Sequence, residues 1–199
     1  MEKSEEVAKN LISREGKVKG EVIRTNIEYL RRKRGDGAVE RVQRRMKELG
    51  STLDFNNIKP FHWYSEGENS LIVVVAKEVL NWSDNDVYEM GYSTLKLSFI
   101  MKMILQYFVS AERVFKNANK YWRKHFDVGS IELVEFSKKE KYASIRIKDF
   151  YMHRLNCVYQ KGFFQALCEL VIKSKEINVE EVRCMHRGDS FHEYKITWK

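Results

Sequence analysis

The spacing of apolar residues changes once along the chain, at Gly129. In most of the chain before it, apolar side chains recur every three or four residues, as they do over 39–49, and this spacing predicts amphipathic helices. After it, segments that alternate apolar and polar residues, such as 143–148, flank one helical stretch at 155–172. We therefore expect an α+β fold with a helical N-terminal half packed on a four-stranded antiparallel sheet. Two hairpins would form that sheet, which gives the C-terminal half a ββαββ order.

The same patterns divide the chain into a short extension and one domain. Residues 1–16 predict a polar helical lead-in, and residues 17–199 predict a single domain. We expect its 17–128 half to be mostly helical and its 129–199 half to hold the ββαββ unit.

Two segments of the helical half carry more specific expectations. The apolar run at 71–80 fits either a strand or a buried helix, and a helix is favoured because Asn69 or Ser70 could cap it. Residues 94 to about 120 predict the longest helix, with one broad apolar face.

Composition excludes several classes of protein. No run of 18 apolar residues exists, the N-terminus lacks the apolar stretch of a secretory signal, and three cysteines do not make a disulfide framework. We therefore expect a cytoplasmic protein that does not enter a membrane. The net charge is +8, but the basic cluster over 31–45 is interspersed with acids, which is typical of the solvated face of amphipathic helices. We expect no specific nucleic-acid binding.

Four residues of the C-terminal half form a candidate metal site. Cys157, Glu181, Cys184 and His192 follow the spacing C-x23-E-x2-C-x7-H, and all four are zinc ligand types that would close a tetrahedral shell. A hairpin turn near Gly188 would place Cys184 opposite His192. Because Glu181 and Cys184 would point to opposite faces of a regular strand, the site requires a bulge between them.

Some alternatives to this ligand set stay open. By strand alternation alone, Glu180 or His186 could replace Glu181 or His192 as ligands. A buried cysteine pair beside a surface histidine would account for the same residues without a metal. Cys168 lies in an apolar run and is expected to be a core residue.

The segment from His153 to Trp198 resembles the C-terminal half of the vinyl-reductase-type small-molecule-binding domain. That family belongs to a superfamily with the H-NOX domains and trafficking (TRAPP-like) subunits, and the likeness is weaker over 17–150. The resemblance implies an H-NOX-like fold and a metal bound at the four positions, with histidine standing where the family has its last cysteine. The matching positions are Cys157, Gly162, Glu181, Cys184, Gly188-Asp189 and His192.

The resemblance also bears on cofactors and ligand. H-NOX proteins bind haem through a histidine on a helix and hold it with a Tyr-x-Ser-x-Arg motif, and we expect this chain to offer neither. No histidine occurs between Leu95 and Lys120. We therefore expect structural zinc and no haem. An apolar pocket is expected between the sheet and the long helices, with Phe108, Phe115, Phe136 and Phe164 as candidate lining residues.

The function that the resemblance implies is ligand sensing. We expect a domain that binds a hydrophobic or aromatic small molecule and signals through a partner or as a homodimer, rather than an enzyme. The alternatives are an interaction or scaffold module of the trafficking-subunit type, and a reductase accessory in tetrapyrrole metabolism.

Overall fold

A computed structural model describes residues 4–97 and 110–199 of the protein and confirms the predicted α+β class. The described helices pack around one four-stranded antiparallel sheet. These helices are α1 (Ser4–Ile12), α2 (Gly20–Arg34), α3 (Asp36–Glu48), α4 (Glu66–Val79), α5 (Asp84–Leu97), α6 (Ala111–Lys116), α7 (Ala118–His125) and α8 (Arg154–Val171). The described strands are β1 (Lys17–Lys19), β2 (Trp63–Ser65), β3 (Ser130–Ser137), β4 (Tyr142–Lys148), β5 (Ile177–Arg183) and β6 (His192–Trp198).

The large sheet is built from the two predicted hairpins. Its strand order is β3-β4-β6-β5, so the hairpins join through the antiparallel pairing of β4 with β6. Ala143, Ile145 and Ile147 of β4 are almost fully buried, as their alternation predicts. Between the hairpins, α8 returns across the sheet, while β1 and β2 form a separate two-stranded ribbon.

The run at 71–80 belongs to a helix, but that helix begins earlier than predicted. Ser65 caps α4 by accepting a hydrogen bond from the backbone N–H of Glu68 at 3.2 Å. Asn69 and Ser70 lie inside the helix, so the prediction that one of them caps it was wrong. The valines do not form a strand because burial overrides their preference: α4 is central to the core, and its residues Leu71, Ile72, Val73, Val75 and Ala76 are at most 2% exposed.

The single long helix predicted over 94–120 is not found in the described residues. Thr94 lies near the end of α5, residues 98–109, with Phe108 among them, are outside the described part, and α6 and α7 are separate helices. Asn117 divides them with φ −100° and ψ 7°. Its side-chain amide donates to the carbonyl of Arg113 at 2.8 Å, a local bond that competes with continuation of the helix.

Helices α5 and α8 cross at very close range because each supplies a glycine at the contact. A Cβ built on Gly91 would lie 1.9 Å from the carbonyl oxygen of Tyr159. A Cβ on Gly162 would lie 2.1 Å from the carbonyl oxygen of Tyr88. Neither glycine position therefore has room for a side chain, and the close contact fixes α8 against the helical half.

The described helices do not include one with both the length and the apolar character needed to cross a lipid bilayer. The basic end of α2 is largely paired, since Glu28 contacts both Arg31 and Arg32 and Asp36 contacts Arg31. Segment 4–12, within the predicted lead-in, forms α1, which buries Val7, Ala8 and Leu11.

Candidate metal centre and ligand cavity

The four predicted metal ligands meet at one buried point. Cys157 lies in the first turn of α8, Glu181 on β5, Cys184 just after β5, and His192 at the start of β6. One donor atom from each lies within 4.8 Å of every other. The two sulfur atoms are 3.5 Å apart, Cys157 Sγ is 3.6 Å from His192 Nδ1, and that nitrogen is 3.2 Å from Glu181 Oε1.

The irregularity that the sequence required is present in β5. The pairing of β5 with β6 shifts register between Glu181 and Arg183, and this bulge lets Glu181 and Cys184 face the same point. The turn that follows is closed by Gly188 in a left-handed conformation (φ 95°). Asp189 Oδ2 accepts the backbone N–H of Cys184 at 2.8 Å, which fixes the position of the thiol.

The distances between the donor atoms fit tetrahedral coordination. An ion bound at about 2.3 Å by sulfur and about 2.0–2.1 Å by nitrogen and oxygen would hold two sulfurs about 3.8 Å apart. The same geometry would separate sulfur and nitrogen by about 3.6 Å, and nitrogen and oxygen by about 3.4 Å. The observed distances of 3.5, 3.6 and 3.2 Å follow this pattern to within about 0.3 Å. These are three of the six distances between donor atoms. The other three are at most 4.8 Å, so movements of about 1 Å or less would bring all four donors to one metal ion.

Hydrogen bonding prepares His192 for this role. Its Nε2 lies 3.3 Å from the carbonyl oxygen of Phe150, which can only accept. The neutral tautomer with its proton on Nε2 fits this contact and leaves Nδ1 as the nitrogen that could bind a metal ion. Burial raises the pKa of the Cys157 thiol, and the nearby Glu181 carboxylate raises it further. Burial also acts to raise the pKa of Glu181, but its contacts with His192 and Cys157 outweigh this and lower it. A bound cation would favour the thiolate, because it supplies the positive charge that the thiols otherwise lack.

The alternative ligands are not part of the cluster. Glu180 is exposed on β5. The ring of His186 lies 5.7 Å from that of His192 but stacks on Tyr151, with centroids 4.5 Å apart. Cys168 is fully buried in the core, as expected.

A cavity of about 140 Å³ lies between the helical half and the sheet. Phe115 of α6 and Phe164 of α8 are among its lining residues, as the sequence suggested. Phe136 is not among them: its ring packs against Phe115 and Trp198, with centroids 6.0 and 5.8 Å away. Phe108 lies outside the described residues. Further aromatic side chains that line the cavity are Tyr121, Trp122, Phe126, Phe150, Tyr159 and Phe163.

One part of the cavity wall is polar, and sequence reasoning missed it. Glu66, Asn26, Asn69 and Tyr159 all line the cavity and are linked by hydrogen bonds. The sequence gives only a weak indication of this polar wall. Polar residues just before an apolar run such as 71–80 are also typical of the start of a helix.

The comparisons with known proteins concern the whole architecture. No family model and no curated protein matches the chain. Solved structures do match. An H-NOX protein from S. oneidensis in the Fe(II) ligation state, in a mutant form, is 15% identical with a TM-score of 0.70, covering 91% of this chain and 96% of that one. An oxygen-binding H-NOX domain related to soluble guanylate cyclases is 16% identical with a TM-score of 0.64, covering 91% and 95%.

The chain has the H-NOX fold. A third solved structure of this fold, 16% identical with a TM-score of 0.65, comes from work on modulating heme redox potential through porphyrin distortion and covers 90% of this chain and 99% of that one. The prediction of structural zinc and no haem is therefore wrong as a cofactor assignment, because solved structures of this fold are described with Fe(II) or heme.

The expectation that the chain lacks a Tyr-x-Ser-x-Arg motif is wrong. Tyr142, Ser144 and Arg146 of β4 form this pattern. The three are not among the described residues that line the cavity. Instead, Arg146 forms an ion pair with Glu193 at 2.9 Å, and Ser144 donates to the same carboxylate at 2.9 Å. These two side chains are therefore engaged on the sheet rather than at the cavity.

His125, at the end of α7, is the histidine that lines the cavity. Its Nε2 is buried without a hydrogen-bond partner, and its Nδ1 lies 3.8 Å from Glu21. Burial lowers the pKa of His125, against the opposing effect of Glu21, so the imidazole is neutral at neutral pH. The cavity therefore offers a nitrogen that could bind iron, but its described lining residues include no Lys or Arg to pair with the carboxylates of a haem.

Proposed function

We propose that the chain is a small-molecule-binding sensor domain of the vinyl-reductase type, in which an apolar ligand occupies the cavity. The observation that carries this proposal is the cavity itself, which lies between the two halves of the H-NOX fold and has eight Phe, Tyr and Trp side chains among its mostly apolar lining. Such walls suit apolar ligands, while a few polar groups set orientation. A cavity of about 140 Å³ is close to the roughly 150 Å³ cavity known to hold benzene, so we expect a ligand core about the size of one aromatic ring.

The same helix serves both sites in this proposal. Cys157 of α8 belongs to the metal cluster, and its neighbours Asn156, Tyr159 and Gln160 line the cavity. A metal ion held by Cys157, Glu181, Cys184 and His192 would fix the start of α8 to the last hairpin. All four positions around such an ion would be filled by protein, so we assign the metal a structural role.

The response to ligand would pass to a partner protein or a second copy of the chain. We propose that the chain acts in the cytoplasm as a homodimer.

Toluene is a suitable first probe of the cavity. We expect it to bind and to raise the melting temperature with the logarithm of its concentration above the dissociation constant, since a ligand of the native state stabilises it by mass action. The substitution Ala118→Phe adds a ring to the cavity wall and should weaken toluene binding at least about tenfold, whereas Lys120→Phe, exposed on the same helix, should not. Calorimetric titration measures both. If toluene does not bind the wild-type protein, or binds Ala118→Phe equally well, the cavity is not the ligand site.

Haem is a second candidate, favoured by the unpartnered Nε2 of His125. It requires the cavity of about 140 Å³ to widen, because a porphyrin is several times larger than one aromatic ring. On this candidate, hemin titration would give a stoichiometric Soret band that His125→Phe removes. The exposed His62 provides the control, since His62→Phe should leave the band unchanged. Hemin that gives no such band, or a band that His125→Phe leaves intact, excludes this candidate.

A further inference from the structure

One carboxyl group in the cavity wall is buried without a positive partner. Glu66 is only 1% exposed, in the first turn of α4, and lines the cavity. Asn69 Nδ2 donates to Oε2 at 3.0 Å, and Ser70 Oγ donates to Oε1 at 3.1 Å. Within the described residues, no ion pair includes this carboxyl group, which is uncommon because buried acids are usually paired.

The surrounding hydrogen bonds all point toward Glu66. The hydroxyl of Tyr159 donates to Asn26 at 2.7 Å, Asn26 donates to Asn69 at 3.0 Å, and Asn69 donates to Glu66. This chain of donors begins at α8 and passes through α2 before reaching α4.

A second chain ends at the same group, since Asn156 donates to Ser70 at 2.9 Å and Ser70 donates to Glu66. Two chains of donors thus converge on one carboxyl, an arrangement that favours its negative form.

Burial opposes that negative form and outweighs it. Burial raises the pKa of Glu66 to about 8, even though Asn69 and Ser70 act to lower it, and nearby Asp127 raises it further. The other ionisable groups among the described residues that line the cavity are Glu21, Tyr121, Tyr159 and His125, which lies beside Glu21. None of these supplies a cation, because His125 is neutral. Glu66 therefore keeps its proton at neutral pH.

The remaining wall also favours a cation. Aromatic faces attract positive charge, and cages of aromatic rings recognise ammonium groups. The described residues that line the cavity include two acids, Glu21 and Glu66, and no Lys or Arg. The protein as a whole carries a net charge of +8, whereas the charged residues described in the cavity lining are acidic.

We propose that the cavity selects a small apolar cation, an alkyl- or arylammonium compound, whose charge pairs with the carboxylate of Glu66 inside the aromatic wall. This inference rests on the proposed function, because it requires that the cavity bind a ligand. When the cation enters, Glu66 releases its proton to solvent and the charge of the bound ammonium takes its place. Carboxylic acids are disfavoured, since the described residues that line the cavity include no Lys or Arg to neutralise them.

Tetramethylammonium tests this most cleanly, because it has a permanent charge and no proton of its own. Its neutral counterpart of similar shape is tert-butanol. At pH 7 we expect tetramethylammonium to bind at least about tenfold more tightly than tert-butanol, with sodium chloride added to match ionic strength. Calorimetric titration in buffers of different ionisation enthalpy measures the number of protons released per bound cation. We expect about 0.9, because a group with a pKa about one unit above the pH is about nine-tenths protonated before binding.

Glu66→Gln should abolish both the preference and the proton release, while toluene still binds. Glu68→Gln is the matched control: this buried acid of the same helix binds Ser51 and Thr52 and is not among the described residues that line the cavity. Should Glu66→Gln fail to fold, the proton release of the wild-type protein decides the question alone. Toluene binding with no preference for tetramethylammonium, or tetramethylammonium binding without proton release, overturns this inference and leaves the proposed function standing. If neither probe binds, both fall.

Discussion

Replacing Cys184 with alanine is expected to lower the free energy of unfolding of the metal-loaded protein by about 4 kcal/mol or more, because loss of a metal site is among the largest single-residue effects. The reason is geometric. Cys184 lies at the turn between β5 and β6, and through a metal ion it would tie this turn to Cys157 at the start of α8. Without the ion, the contact between helix and hairpin depends on packing alone.

Cys168→Ala is the matched control, since this cysteine is equally buried but lies away from the cluster. It should cost only about 1 kcal/mol of lost packing. Denaturant unfolding with and without a chelator separates the two variants: chelation should destabilise the wild-type protein and Cys168→Ala but leave Cys184→Ala unchanged. Addition of Co²⁺ should give thiolate absorption bands in the first two proteins only. A wild-type protein that is indifferent to chelator and binds no Co²⁺ would show that the four side chains form a packed polar cluster without a metal.

Gly91→Ala is expected to destabilise the protein by about 3 kcal/mol, at the upper end of the usual cost of overpacking. The added methyl group would lie 1.9 Å from the carbonyl oxygen of Tyr159, which is backbone and cannot rotate away. Helices α5 and α8 must then separate. Because Tyr159 also lines the cavity and donates to Asn26, we expect weaker ligand binding as well.

Gly37→Ala, in α3, is the opposite case. No atom lies within 4 Å of its built Cβ, and its φ lies in the ordinary negative range. Alanine there should stabilise the protein by about 0.5–1 kcal/mol, because glycine is the poorer helix former. Thermal and denaturant unfolding of both variants measure these effects. Equal stability of Gly91→Ala and wild type would mean that the two helices are not in contact as described.

The metal cluster was accessible to sequence reasoning because its residues are chemically distinctive and its geometry is local. Glu181, Cys184 and His192 belong to one hairpin, so strand alternation and the position of the turn placed them near one another. The choice of Glu181 and His192 over Glu180 and His186 came from the family resemblance. Because Glu181 and Cys184 would point to opposite faces of a regular strand, the sequence also predicted a bulge between them, and the structure contains one near Val182. The four-stranded sheet was predictable for the same reason, since each of its hairpins is formed by neighbouring segments of the chain.

The polar wall of the cavity was not accessible in this way. Asn26 and Tyr159 are 133 residues apart in sequence, and Asn26 and Asn69 are 43 apart. No spacing rule relates residues that meet only after three helices have packed. The separation of α6 from α7 at Asn117 was missed because apolar periodicity continues through that residue, while a side-chain bond to Arg113 interrupts the helix.

Xenon is the most direct probe of the central claim, that an apolar ligand occupies the cavity between the two halves of the fold. Xenon binds dry apolar cavities, and its electron density locates it without ambiguity. In crystals of the wild-type protein under xenon pressure, we predict a single strong site between Phe115 and Phe164, lost in Ala118→Phe and retained in Lys120→Phe. A cavity filled by side chains, with no xenon between these two rings, would contradict the account.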